Sequence, residues 1–291
     1  MPALDAARLD SLVQFAHRLA DASGAVIRRY YRRPIAVASK ADESPVTIAD
    51  REAETALRRL IEAAHPDHGI VGEEHGEVRS DAEFVWVLDP IDGTRSFIAG
   101  KPLFGTLIAL CHGGIPVIGV IDQPVSGERW LGCSGRATVL GDRPLASRAC
   151  ARLADAVLFT TGHEWYGASD LEAFKRLEAR VRMTQYSADC YAFALLASGF
   201  VDLVGECSMD NHDIAALVPV VEGAGGVITD WRGGSLDLGS GGCVLAAGDP
   251  ALHEKALAVL HEQAPAGCRE PARAPIITVE RGRSGAARRN R

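Results

Sequence analysis

Five carboxylates stand where apolar runs end or helical patterns begin. The densest group is Val87-Leu88-Asp89-Pro90-Ile91-Asp92-Gly93-Thr94, in which two acids three residues apart close an apolar strand and Pro and Gly force a tight turn. Glu73 lies in Gly72-Glu73-Glu74, just after the apolar step Ile70-Val71, Asp50 falls in a first helical turn, and Asp213 precedes the apolar run 214–218. Each has a plainer alternative when taken singly: turn hydrogen bonds for Asp89 and Asp92, a helix-dipole role for Asp50, an N-cap for Asp213.

Taken together they suggest a metal site. Two carboxylates about 4 Å apart repel by about 4 kcal/mol at an effective dielectric of about 20. Several such pairs exceed what a domain stable by about 5–15 kcal/mol can hold. Either the acids are apart, or cations sit among them. Oxygen donors without Cys or His favour a hard ion such as Mg²⁺, which keeps waters and is completed by substrate phosphate. Gly93 and Thr94 add the other half: N–H groups at a turn entering a helix hold a phosphate, and the Thr94 hydroxyl passes a proton to Asp50 while orienting a water. The chemistry this predicts is metal-assisted phosphoryl transfer to water.

The elements that must position these groups follow from periodicity. Leu12, Phe15, Ala16, Leu19, Val26, Ile27 and Tyr30 recur at three- and four-residue steps and predict an amphipathic helix ending in a basic cluster before Pro34. Thr47 and Asp50 open a second, carried by Ala53, Leu57, Leu60, Ile61 and Ala64 and stopped by Pro66. Residues 84–88 read as a buried strand delivering Asp89, and 104–110, 115–121 and 128–131 as an antiparallel meander. Beyond Cys150 strand and helix alternate: strands at 157–160, 201–205, 227–230 and 243–247, helices near 171–179, 191–197, 214–222 and up to about 262. The class is mixed, α/β with α+β, in layers of helix and sheet. It divides into an N-terminal lobe, 1–145, with most of the acids, a C-terminal lobe, 146–265, with Asp213, and a basic tail, 266–291.

Composition narrows the rest. The chain has 291 residues, 47% hydrophobic and 24% charged, with mean hydropathy +0.03 and net charge −7, which excludes collagen-like and low-complexity classes. The apolar runs are too short for a membrane helix and the N-terminus lacks a signal-peptide layout, so a cytoplasmic location is expected. The tail carries seven Arg against two Glu, leaving an acidic body. It is expected to fray into solvent, with contact to nucleic acid or an acidic surface as the alternative. The seven cysteines are scattered and suggest neither a disulfide framework nor a cysteine zinc site.

Gly72-Glu73-Glu74, the stretch Asp89-Pro90-Ile91-Asp92-Gly93-Thr94, and Asp213-Ile214-Ala215-Ala216, in that order, resemble the signatures of the inositol monophosphatase family. The resemblance implies an α-β-α-β-α sandwich of the sugar phosphatase type and two to three Mg²⁺ ions. Glu73, Asp89 and the Ile91 carbonyl would take the first, Asp89, Asp92 and Asp213 the second, and Asp50 with Glu73 a weaker third. Lys40 matches a lysine near the metals, Thr94, Asp50 and Glu73 the catalytic groups, and Gly93 with Thr94 the phosphate site. A homodimer acting on a small phosphate ester, without nucleic-acid or membrane partners, is also implied.

Stretches 44–52, 189–199, 212–226, 229–231 and 244–249 are similar to the histidinol phosphate phosphatase branch. That similarity implies hydrolysis of L-histidinol phosphate, with Asp189, Glu206, Asp213 and Ser187 toward the substrate; two extra acids suit a cationic amino alcohol. An N-cap remains the alternative for Asp189, and a strand-end surface acid for Glu206. Ser187-Ala188 departs from the paired glycines common in relatives, and Asn211-His212 from a Pro with an aromatic residue, which places the substrate rim in question. The rival readings are an inositol-1-monophosphatase or broad small-molecule phosphatase and, from another class, a silent member acting as a regulatory or RNA-linked binding module.

Overall fold

A computed structural model describes residues 5–39 and 45–262; Lys40 and the basic tail, 266–291, lie outside the described residues. The first half of the chain runs α1 (Ala6–Tyr30), β1 (Val37–Ser39), β2 (Pro45–Thr47), α2 (Ile48–Ala64), β3 (Gly69–Gly72), β4 (Gly76–Val78), β5 (Phe84–Asp92), α3 (Thr94–Ile98), β6 (Gly105–His112), β7 (Ile115–Gln123), β8 (Glu128–Cys133), β9 (Arg136–Leu140) and β10 (Arg143–Pro144). The second half runs β11 (Val157–Thr160), α4 (Ala168–Glu178), β12 (Met183–Tyr186), α5 (Cys190–Ala197), β13 (Leu203–Met209), α6 (Asn211–Ile214), α7 (Leu217–Gly223), β14 (Val227–Asp230), β15 (Gly242–Ala247) and α8 (Pro250–Leu260).

Helix α1 starts where the Asp5 carboxylate accepts the Arg8 N–H at 2.9 Å, and its apolar stripe, Leu9, Leu12, Phe15, Ala16 and Leu19, is buried. The stripe packs with Leu57 and Ile61 of α2 against Trp86, Leu88, Ile108 and Leu110 of an eight-stranded sheet, ordered β10-β9-β8-β7-β6-β5-β3-β4. The expected antiparallel meander is β6 to β8; β5 before it and β9 and β10 after it continue the antiparallel pairing, while β3 joins β5 in parallel. A second sheet, β12-β11-β13-β15-β14, holds β11 parallel to both β12 and β13.

Helices α5 and α7 fill the space between the sheets: Phe193, Leu196, Leu217 and Val220 share one core with Val87 and Leu107 of the first sheet and Val204 and Ala246 of the second. Phe174 of α4 and Leu252 and Val259 of α8 cover the outer face of the second sheet. The result is the α-β-α-β-α sandwich. The fit is close enough to dictate glycine at β7, because a Cβ on Gly119 would stand 2.1 Å from the Ala216 carbonyl oxygen.

Three expectations change. The helix expected at 214–222 is two helices: Pro219 has no N–H for the Ala215 carbonyl four residues before it, so the ladder breaks between α6 and α7. The edge strands β4, β10 and β12 escape the pattern because they are largely exposed and show no alternation. Cys207 and Cys243, 36 residues apart in sequence, form a disulfide, because the register pairing Glu206 with Val244 sets them opposite each other on β13 and β15. Cys111, Cys133 and Cys190 are free and buried. Among the described residues no helix is long and apolar enough to cross a membrane.

Gly119→Ala is expected to destabilise the protein by about 1–3 kcal/mol in chemical denaturation, because backbone must retreat from the added methyl. An unchanged midpoint would mean that α7 can move off the sheet.

Candidate active site

Residues three apart on an unbroken strand face opposite sides of a sheet. Strand β5 escapes this rule by a bulge: Asp89 pairs with Leu107 and Asp92 with Gly105, so three steps on β5 match two on β6. The expected tight turn between the two acids is therefore a continued, bulged strand, and the turn begins at Gly93, whose φ is +84°. A side chain on Gly93 would be strained and would also stand 2.8 Å from the Asp189 carboxyl carbon. The bulge brings Asp89 and Asp92 together with Asp213, and one carboxylate oxygen from each lies within 4.8 Å of the others.

Backbone donors hold all three. Asp89 accepts the Ile91 N–H at 3.0 Å, and Asp92 accepts the Cys190 N–H at 2.5 Å, which ties β5 to the first turn of α5. Asp213 is not the N-cap considered from sequence. It is the third residue of α6, accepting the Asp210 N–H at 2.8 Å in a capping box whose cap is Asp210.

Asp50 both closes the start of α2 and faces Thr94. One oxygen accepts the Thr47 N–H at 2.9 Å and hydroxyl at 2.6 Å, capping α2; the other lies 3.4 Å from the Thr94 hydroxyl, which also reaches the Ile91 carbonyl at 3.1 Å. Glu73 follows β3, its N–H on the Leu88 carbonyl at 3.2 Å. Its turn is set by buried Glu54, which accepts the Glu74 N–H at 2.7 Å and is gripped by Arg58 at 2.7 Å. Glu73 raises the pKa values of Asp50, Asp89 and Asp213, which places it in the same cluster.

The electrostatics are those of acids crowded out of water. Burial, then Glu73, Asp92 and Asp213, lifts Asp89 far above the carboxylate range; burial, then Asp189 and Asp213, does the same to Asp92. Burial pushes Asp213 up to about 6 and raises Asp50 as well. An oxygen-only, preorganised, mutually repelling donor set fits a hard divalent cation, whose charge removes the repulsion.

The adjoining pocket is lined by Asp92 and Asp213, by Asp189 and Glu206, and by Thr161, Trp165, Phe193, Met209 and Leu217. Asp189 stands at the N-cap position of α5 without making a side-chain cap bond; its φ is +46° and its carboxylate accepts the Ser96 hydroxyl at 3.0 Å. Ser187 has φ +65°, in the left-handed region that favours glycine. Ser187 donates its N–H to the Thr160 and Thr161 carbonyls. Glu206 is no surface acid: it is buried and accepts the Thr161 N–H at 2.6 Å and the Thr160 hydroxyl at 3.2 Å. Burial pushes it up to about 8, and Asp189 up to about 6.

Sequence reasoning passed over Glu54, Ser96, Thr161 and Trp165. The parallel strands held a signal for two of them: Thr161 and Trp165 follow the carboxyl end of β11, the side of such sheets where ligands bind.

Acids with raised folded-state pKa values hold protons that the unfolded chain gives up, so ionisation costs stability. The metal-free protein is therefore expected to lose stability as pH rises from about 4, where the unfolded acids titrate, through 6 and 8, where Asp213, Asp189 and Glu206 do in the fold. With chelator present, Tm should fall between about pH 5.5 and 8.5, and added Mg²⁺ should flatten the slope by displacing the protons. A chelated Tm that rises over this range would remove the strain from the account.

A sequence model described as the inositol monophosphatase family matches residues 8–264. The bifunctional phosphatase IMPL2, chloroplastic, of Arabidopsis thaliana is 48% identical over 86% of this chain and 75% of its own length. A histidinol-phosphatase of Chlorobaculum parvum is 38% identical over 76% of this chain and 86% of its own. The solved structure of an inositol monophosphatase from Zymomonas mobilis superposes with a TM-score of 0.81 at 44% identity, covering 87% of this chain and 98% of that one. Matched along nearly all its described length in sequence and in fold, this chain belongs to the inositol monophosphatase family of phosphatases.

Proposed function

We propose that this protein is a Mg²⁺-dependent phosphomonoesterase that hydrolyses L-histidinol phosphate to L-histidinol and phosphate. The observation that carries the reading is the gathering of Asp89, Asp92 and Asp213 within 4.8 Å beside a pocket that continues to two further acids, Asp189 and Glu206. Glu73, Asp89 and the Ile91 carbonyl would hold one ion, Asp89, Asp92 and Asp213 a second, and Asp50 with Glu73 a third. Bound there, the ions supply charge neutralisation for the phosphoryl group, activation of a water and stabilisation of the departing alkoxide.

The chain's own groups do the positioning. The Thr94 hydroxyl, between Asp50 and the Ile91 carbonyl, orients a water and relays its proton toward Asp50, which burial has prepared to accept one. The N–H groups after Gly93 face the phosphate. Glu206 bears on the substrate's charge. An ammonium group beside this buried carboxyl would favour its ionised form, the proton leaving to solvent, and pair with the anion; a neutral polyol brings no such pairing. A relative named histidinol-phosphatase supports the same assignment.

The test is phosphate release from L-histidinol phosphate and myo-inositol 1-phosphate side by side, with Mg²⁺ and then with excess chelator. Histidinol phosphate should be preferred at least about tenfold, chelator should abolish both rates, and Asp92→Asn should cost more than about 100-fold, beyond what loss of a mere supporting partner costs. Equal or inositol-favouring rates would overturn the substrate assignment; chelator-resistant rates would overturn the metal.

A further inference from the structure

The outer wall of the pocket carries a large aromatic side chain that the core does not use. Trp165, in the loop between β11 and α4, is 44% exposed, yet it lines the same cavity as Asp92, Asp189 and Glu206. Three contacts hold it there. The Arg95 guanidinium lies 4.0 Å from the indole centroid, Arg95 pairs with Glu164 at 3.2 Å, and the Trp165 carbonyl accepts the Ser208 hydroxyl at 2.8 Å. Arg95 directly follows Thr94 on α3, whereas Ser208 sits in β13 two residues beyond Glu206 with φ +60°. The indole is thus fixed between the phosphate turn and the buried acid, with much of its surface unburied. A tryptophan fixed beside a pocket offers a ligand a large, flat aromatic face whose geometry is already set.

We propose that Trp165 is a specificity-determining wall of the leaving-group subsite that packs on a planar or cationic group of the alcohol, with Arg95 and Glu164 as positioning residues. The inference rests on the histidinol phosphate reading and names the group that would recognise the imidazole and ammonium end. An indole face attracts cations and stacks on flat rings, and Asp189 and Glu206 supply the charges to go with it. A polyol meets neither demand. The Arg95–Glu164 pair cancels its own charge at the rim, so the arginine can brace the ring without leaving a net positive charge against a cationic substrate.

The experiment compares wild type, Trp165→Ala and Trp165→Phe in steady-state kinetics on L-histidinol phosphate and glycerol 2-phosphate at saturating Mg²⁺. The Ala variant should raise KM for histidinol phosphate about tenfold with kcat changed less than about twofold. Its kcat/KM on glycerol 2-phosphate should fall far less, and Phe should regain most of the loss. An unchanged KM, equal losses on both substrates, or a Phe variant as poor as Ala would overturn the assignment of Trp165. Failure of the substrate reading is seen separately, in a wild type that prefers myo-inositol 1-phosphate; that result removes the basis of this inference before any variant is made.

Discussion

Like charges forced together out of water are the constraint around which this molecule is arranged. Asp89, Asp92 and Asp213 share one point, Glu73 and Asp50 stand close by, and burial raises the cost of ionising them. The donors that hold them are backbone amides, from Ile91, Cys190 and Asp210, with Thr47 adding its hydroxyl for Asp50. Amides fix a carboxylate's direction without cancelling its charge, so the site keeps the field that a cation needs. Among the described residues, arginines do not neutralise it: the ion pairs formed by Arg51, Arg58 and Arg95 go to Glu74, Glu54 and Glu164.

The layers exist to bring these groups from distant parts of the chain. Strand β5 supplies two acids through its bulge, β3 delivers Glu73 from the neighbouring position, and α2 sets Asp50 by the same carboxylate that caps it. The second sheet contributes Thr161 just beyond β11, Ser187 and Asp189 just beyond β12, Glu206 from within β13 and Asp213 from α6 that follows it. The hydrogen bond from the Cys190 N–H to Asp92 is one tie between the halves at the site, because an amide of a helix packed between both sheets holds a carboxylate of the first.

Local rules made much of this legible. The capping box at Thr47 and Asp50, the stripe of α1 and the meander from β6 to β8 depend on neighbours in sequence, and they stand in the structure as read. Features set by a partner strand were not legible. The bulge at Asp89 and Asp92 is defined only against β6, the Cys207–Cys243 bond only against the register of β13 and β15, and the burial of Glu206 only by the loop that crosses it. The left-handed backbone at Ser187 was not legible either, because a serine in a single sequence carries no φ angle. Trp165 had no periodic signal, since an aromatic residue in a loop has none; only its place just beyond a parallel strand marks it.

The central claim is that cations take the place of protons on the buried acids, and it is tested most directly by counting protons released as Mg²⁺ is titrated into the metal-free protein near pH 6. The account predicts saturable binding that releases about one proton or more per protein, fewer in Asp213→Asn, because burial pushes Asp213 up to about 6 and it gives up a proton to the cation. Saturable binding with no proton release would mean that the acids were already ionised together without a cation, which would contradict it.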